Sequence, residues 1–428
     1  MNPPTTLKTR REFLRTTLLG GAVSWTVPAF IDSTFTALNS EAADKGPQAA
    51  SRDGRIVVLL QIAGGNDGLN TIVPFTNDHY YKARPTIGLQ ARSLIKLTRE
   101  LGLHPSLAGL RSLIVGGQLA VVQGVGYPNP NRSHFRGTDI WATASDADKF
   151  VNTGWLGRYF DNACAGADPT VGIAVSRQRP LSFAGKSGKG INVDNPDNYR
   201  FMVSSKDDAG TMATTQQSYR ELNQSSSTMA ADAAASINYV KRVALDVQVS
   251  SDQIIARSKS IENKAKYPSS QLGNSLKLIA RWIAGGMPTR VYYASQGGYD
   301  THINQPPAHE RLLKDLGDSI QAFTDDLKAL GHFNRVLLMT FSEFGRRVKE
   351  NASTGTDHGA GSMLFVVAPK VKSSLLGKYP SLAPADLHQG DLKYNVDFRQ
   401  VYAGVLEGWL QTPSQPILGQ QFEPLALV

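Results

Sequence analysis

The chain has 428 residues, 41% of them hydrophobic and 19% charged, which excludes a disordered or collagen-like polymer and leaves room for a substantial buried core. Its one cysteine, Cys164, rules out an intramolecular disulfide, a cysteine-rich zinc module and an iron–sulfur cluster. The formal charge of +9 favours an anionic small-molecule or polymer substrate. There is no dense basic run with interleaved aromatics, so no nucleic-acid partner is expected.

The first 43 residues read as an address. Thr9-Arg10-Arg11-Glu12-Phe13-Leu14-Arg15 precedes an apolar run from Thr16 to Phe30 and small residues at Ala42 and Ala43. Adjacent arginines followed by Phe and Leu match a twin-arginine signal. The expected carrier is therefore the twin-arginine translocase, and the expected location is periplasmic or secreted. No other stretch reaches the roughly 20 apolar residues of a membrane span, so none is expected after cleavage.

From residue 44 to 428 the pattern is that of one α/β domain. Ile56–Ile62 is rich in β-branched residues and apolar on both faces, as in a buried parallel strand. A helix is expected from His104 to about Val115, then a strand at Leu119–Gly124. A further short helix is expected at His134–Ala142. Later strands fall at Arg290–Ala294, Arg335–Thr340 and Met363–Val367, with amphipathic helices at Gln271–Ile283, Ala308–Leu330 and Phe398–Leu410. A Ser/Thr/Gln/Ala-rich stretch within about 201–262 reads as an inserted helical cap.

In an open parallel sheet, ligands bind beyond the carboxyl ends of the strands. Each strand here is followed by polar residues. Asn66-Asp67 follows the first, Arg132-Ser133-His134-Phe135-Arg136 the second, Asp300-Thr301-His302 the third and Ser342-Glu343-Phe344-Gly345-Arg346-Arg347 the fourth, while Asp357-His358 precedes the fifth. Carboxylates and imidazoles arriving at one edge from distant segments suit a metal or phosphoryl-transfer site. The ligand candidates are Asp67, Asp300, His302, Asp357 and His358. Mixed oxygen and imidazole donors suit zinc or manganese, and a carboxylate-dominated set would suit calcium or magnesium. Ser133 reads equally as a helix N-cap and as a nucleophile; Arg136, or Arg132, could clamp an oxyanion. The glycines of Gly64-Gly65-Asn66-Asp67-Gly68 offer backbone N–H groups to an anion. His104 reads as the residue before a helix, and Glu343 as either an ion-pair partner or a carboxylate supporting the site.

Taken in order, the twin-arginine signal, Gly64-Gly65-Asn66-Asp67-Gly68-Leu69-Asn70, Ser133-His134-Phe135, Tyr299-Asp300-Thr301-His302, Thr340-Phe341-Ser342-Glu343-Phe344-Gly345-Arg346-Arg347, Thr356-Asp357-His358-Gly359 and Asp397-Phe398-Arg399 resemble a bacterial family of exported proteins of unknown function. That family is grouped with the alkaline phosphatase and sulfatase-like superfamily. The resemblance implies an alkaline phosphatase-like three-layer sandwich: a mostly parallel sheet with helices on both faces and metal at the strand ends. It places Asp67 as the first-strand ligand, Ser133 as the nucleophile, Asp357-His358 as the Asp-His metal pair, and Asp300 with His302 as ligands of the other metal. In the superfamily phosphatases those last two are spaced by four residues, here by two. The cysteine motif of the sulfatases, C-x-P-x-R, is absent. The function so implied is a metal-dependent hydrolase of phosphate or sulfate esters; the alternative is a non-catalytic exported binding or surface-assembly protein on the same scaffold.

Overall fold

The computed structural model describes residues 54–196 and 250–428. The signal segment and most of the cap expected over 201–262 lie outside the described residues; within that range, residues 250–260 are helical.

Twelve strands are described, in chain order β1 (Ile56–Ile62), β2 (Ile72–Pro74), β3 (Ile95–Lys96), β4 (Leu101–Leu103), β5 (Leu119–Gly126), β6 (Gly172–Ala174), β7 (Ile191–Asn192), β8 (Val291–Gln296), β9 (Val336–Phe341), β10 (Ser362–Val367), β11 (Leu375–Leu376) and β12 (Val396–Asp397). The helices that matter for the site are α1 (Gly68–Thr71), α2 (His134–Thr143), α3 (Trp155–Ala163), α4 (Gln271–Ala284), α5 (Gln305–Ala329) and α6 (Phe398–Ala403).

The main sheet runs β11-β5-β10-β9-β1-β8-β6-β7, with β12 also paired to β5. β2, β4 and β3 form a separate antiparallel sheet. β1 sits at the centre, parallel to β8 on one side and β9 on the other. Its whole length is buried, and its alternation divides the core. Ile56, Val58, Leu60 and Ile62 join Leu276, Ile279, Leu316 and Ile320 of α4 and α5 on one face. Val57 and Leu59 join Ile140, Leu156 and Val401 of α2, α3 and α6 on the other. The fold is thus α/β, a mixed and mostly parallel sheet between two helical layers, as its apolar strand runs require.

β10 breaks the direction: it is antiparallel to both β5 and β9. Its amino end therefore lies at the same edge as the carboxyl ends of β1, β5, β8 and β9. The Asp357-His358 loop, which precedes β10, arrives at that edge because of this reversal.

Local chemistry departs from expectation in two places. The helix expected from His104 is a 3-10 turn, Pro105–Leu110, that bends into a short α-helix, Arg111–Val115; the His104 ring caps it, Nδ1 accepting from Ser106 N at 3.1 Å. The helix expected over Phe398–Leu410 is α-helical only to Ala403 and continues as a π-helical turn, Gly404–Trp409.

Candidate metal centre

Four chain segments converge at the carboxyl edge of the sheet. Asp300 and His302 follow β8, Glu343 and Arg346 follow β9, His358 precedes β10, and His134 opens α2. Ser133 N-caps α2, its Oγ accepting from Arg136 N at 3.5 Å. Arg346 pins the surrounding loops: its buried guanidinium donates to the carbonyls of Gly64, Gly65, Tyr299 and Thr356 and, at 2.7 Å, to Asp300 Oδ1.

Asp300 is the meeting point. Its Oδ1 lies 3.0 Å from His302 Nε2, 3.1 Å from His358 Nε2 and 3.4 Å from His134 Nε2. The Nε2 atoms of His302 and His358 are 2.9 Å apart. On the far side of each ring, Nδ1 meets an oxygen: Glu343 Oε1 at 2.7 Å from His134, Asp357 Oδ1 at 3.1 Å from His302, and the Arg132 carbonyl at 2.8 Å from His358. Burial by itself would raise the Asp300 pKa; the hydrogen bond and charge of the Arg346 guanidinium override it and hold the value down to about 2. Asp357 is also held below the usual carboxylate range, chiefly by the Asn351 amide and then by His302. The edge is open: the Asp300 side chain is 48% exposed.

An imidazole whose Nδ1 binds a carboxylate or carbonyl and whose Nε2 faces a shared carboxylate is the standard setting of a metal-bound histidine. The donor set fits a divalent ion of the zinc class. Among the expected ligands, the structure brings Asp300, His302 and His358 together and sets Asp357 behind His302. His134 and Glu343 belong to the same group; in the sequence His134 stands inside the Ser133-His134-Phe135 motif and Glu343 shortly before a pair of arginines, settings that do not by themselves mark either as part of a metal centre.

Asp67 stands apart. It caps α1 through Asn70 N at 3.3 Å, and its buried carboxylate pairs with Arg84 Nη1 at 2.6 Å and accepts from Gln305 Nε2. Burial would raise its pKa, but the Arg84 charge keeps it low. Its contacts are with these groups and not with the histidines. Arg136 also points elsewhere: its guanidinium donates to the carbonyls of Asp146, Ala147 and Lys149 and lies 4.2 Å over the Phe150 ring. Arg132 binds Asp391 through Nε at 2.9 Å and through Nη2.

Two N–H groups of the glycine loop after β1 are taken up within the protein. Gly64 N donates to Glu343 Oε1 at 2.8 Å and Asn66 N to Ser342 Oγ at 2.9 Å. Glycine is required there for another reason. Gly64 has φ +118°, and a Cβ on it would lie 2.5 Å from Asp300 N; Gly65 has φ +71°, and its Cβ would lie 2.4 Å from the Phe344 ring. The close backbone approach places Asp300 against β1.

His309, on α5, is buried beside Asn66, its Nε2 3.0 Å from Asn66 Oδ1, and packs edge-to-face on His104 with ring centres 5.7 Å apart. His388 lies in an exposed turn that pairs with Asp391 through the backbone. A cavity of about 570 Å³ opens beneath α2, walled by Gln61, Thr138, Trp141, Tyr293 and Phe341 among others. Thr138 stands one helical turn from His134, but none of the candidate ligands lines this cavity. Among the described residues, no helix is long and apolar enough to cross a membrane.

No curated protein sequence matches the chain. The lipoteichoic acid synthase LtaP from Listeria monocytogenes is similar over 81% of this chain and 71% of its own, at 8% identity and a TM-score of 0.32. A protein in the alkaline phosphatase superfamily from Vibrio parahaemolyticus is similar over 82% of this chain and 71% of its own, at 9% identity and a TM-score of 0.33. Likenesses this distant carry no argument about chemistry. The model of one family covers residues 90–419, a span that includes Ser133, His134, Asp300, His302, Glu343, Asp357 and His358. The chain belongs to that family, described as Protein of unknown function (DUF1501).

Proposed function

We propose that the chain is an exported, metal-dependent hydrolase of phosphate or sulfate esters that works at the carboxyl edge of its sheet. The observation that carries the reading is the meeting of histidine Nε2 atoms on the Asp300 carboxylate, each ring braced from behind by an oxygen. Asp300, His302 and His358 would hold a divalent ion, zinc or manganese, whose charge would polarise the ester and make water more acidic.

The chain's own residues do the remaining work. Asp300, His302 and His358 bind the ion, and Asp357 fixes the His302 ring. Ser133 is the candidate nucleophile: its side chain is exposed, and its chain neighbours Arg132 and His134 both touch the histidine group. Its hydroxyl oxygen would attack the phosphorus or sulfur as its proton passes to the departing alcohol, and water would then cleave the serine ester to release phosphate or sulfate and restore the hydroxyl. Export by the twin-arginine translocase, which carries folded proteins, suits an enzyme that must acquire its ion before crossing.

Hydrolysis of aryl phosphate and aryl sulfate by the metal-loaded protein tests this reading. Turnover should vanish in Asp300→Asn and fall at least 100-fold in Ser133→Ala. Turnover that survives chelation and Asp300→Asn would overturn it. One observation favours the alternative of a non-catalytic exported binding or surface-assembly protein: Arg136, the expected oxyanion clamp, is engaged by loop carbonyls. A partner bound equally well by wild type, Asp300→Asn and Ser133→Ala, without turnover, would support that reading instead.

A further inference from the structure

We infer that this edge is a seat for a single divalent cation of the zinc class, held by Nε2 of His134, His302 and His358 with the Asp300 carboxylate, and that Asp67 is outside the ligand set. The inference rests on the metal-dependent reading above, fixes its ligands and sets the number of ions at one.

Hydrogen placement carries the first step. A carbonyl oxygen only accepts, so the 2.8 Å contact of His358 Nδ1 with the Arg132 carbonyl puts the ring hydrogen on Nδ1. The Glu343 oxygen 2.7 Å from His134 Nδ1 already accepts the Gly64 N–H. The Asp357 oxygen 3.1 Å from His302 Nδ1 already accepts the Asn351 amide. Each ring is therefore held with a hydrogen on Nδ1, the tautomer that leaves the Nε2 lone pair free to bind a cation. Each lone pair then faces the Asp300 carboxylate oxygen at 3.0 to 3.4 Å, and those of His302 and His358 face each other at 2.9 Å. Groups of that kind repel unless a positive centre lies among them. Arg346 supplies part of it: Nη2 reaches Asp300 at 2.7 Å and Nη1 lies 3.4 Å from His302 Nε2. It contacts neither of the other two rings. His134 Nε2 is enclosed and has no hydrogen-bond partner.

The spacing gives the second step. Ligand atoms about 2.0–2.1 Å from a tetrahedral zinc lie roughly 3.3 Å from one another. The separations of His302, His358 and His134 from Asp300, and of His302 from His358, run from 2.9 to 3.4 Å, close to that edge length and mostly a little below it. The ligand atoms of His134, Asp300 and His358 all lie within 4.8 Å of one another.

The third step concerns number. A second ion would need further carboxylate oxygens, and each nearby carboxylate already has an oxygen engaged. Asp67 faces the buried Arg84 guanidinium and the Gln305 amide, so an ion there would sit against a fixed positive charge. Glu343 and Asp357 turn oxygens to the Nδ1 sides of the histidines. Among the described residues, no other three such side chains converge.

The test is metal content and cobalt spectroscopy on the full chain, stripped with chelator and reloaded with zinc or cobalt(II). One ion per chain is expected, with the visible absorption of a four-coordinate cobalt centre that His134→Ala abolishes and Asp67→Asn preserves. Glu343→Gln, which leaves the fold and all four ligands in place, should weaken zinc binding 10- to 100-fold. Circular dichroism of each variant separates loss of the ion from loss of the fold. Two ions per chain, or an unchanged cobalt spectrum in a folded His134→Ala, overturns this inference and leaves the hydrolase reading standing. A folded wild type that takes up no ion overturns both.

Discussion

Asp67 and Arg84 form an ion pair from which water is excluded: Nη1 to Oδ2 is 2.6 Å, and both side chains are essentially inaccessible. Arg84 also donates to Asn70 Oδ1 at 2.7 Å and to the carbonyls of Arg347 and Val348. It ties the segment after β1 to the loop after β9. Removing one partner of such a pair strands a charge, at a cost of about 3–5 kcal/mol. Arg84→Ala should lower the unfolding free energy by that amount in urea titrations; Arg84→Met, which keeps the volume, should suffer much the same loss because Asp67 is still stranded. A loss below about 1 kcal/mol would show the pair to be dispensable.

The glycine after β1 links the fold to the edge. In Gly64→Ala the new methyl group would meet the Asp300 backbone at 2.5 Å in a left-handed conformation. A penalty of more than about 1 kcal/mol is expected. Displacement of Asp300 should also weaken zinc uptake, read by competition with a chromogenic chelator. Zinc affinity equal to wild type would mean that Asp300 keeps its place without this close approach.

Bound metal should stabilise the folded chain. At zinc concentrations 100-fold above the dissociation constant the gain is about 2.7 kcal/mol, seen as a rise in Tm. His358→Ala should remove the dependence of Tm on zinc. A zinc-dependent Tm that persists in this variant would place the ion elsewhere.

Acid should loosen the α5 region. Burial pushes the His309 pKa down to about 4, and burial together with His309 pushes His104 down to about 3. Their unfolded values lie near 6.5. Between pH 6.5 and 4 the unfolded chain takes up protons that the folded chain refuses, so stability is full above 6.5 and falls as pH drops through this window. The urea midpoint should decline accordingly, and His309→Gln should flatten the profile. A midpoint equally steep in that variant would assign the decline to other groups.

Much of the architecture was legible because β1, β5, β8, β9 and β10 are continuous apolar runs closed by polar residues. The strands that went unseen, such as β6, β7, β11 and β12, are two or three residues long, too short for periodicity to register. Nor does a buried run show its direction, so the reversal of β10 was hidden. At the edge, Asp300, His302 and His358 were legible as polar residues flanking strands. His134 was overshadowed by the hydroxyl of Ser133, although its place in the first turn of a helix after a strand was visible. Asp67 carried the same strand-end signal as Asp300. What sets it apart is Arg84, 17 residues on in sequence, whose side chain folds back in a way no local pattern encodes.

The reversal of β10 changes how the edge comes together. Because β9 and β10 are antiparallel neighbours, one hairpin connection carries Glu343, Arg346, Asp357 and His358, and Arg346 pairs with His358 through the backbone across it. These groups meet through local chain closure. His134, by contrast, reaches Glu343 across 209 residues, and Asp300 reaches His358 across 58. Short loops close before long ones, so the hairpin forms a preassembled half of the centre that waits for the α2 and β8 segments. A cation present during refolding should therefore accelerate the last docking step and leave the hairpin itself unchanged, a difference that pulsed hydrogen exchange can resolve strand by strand.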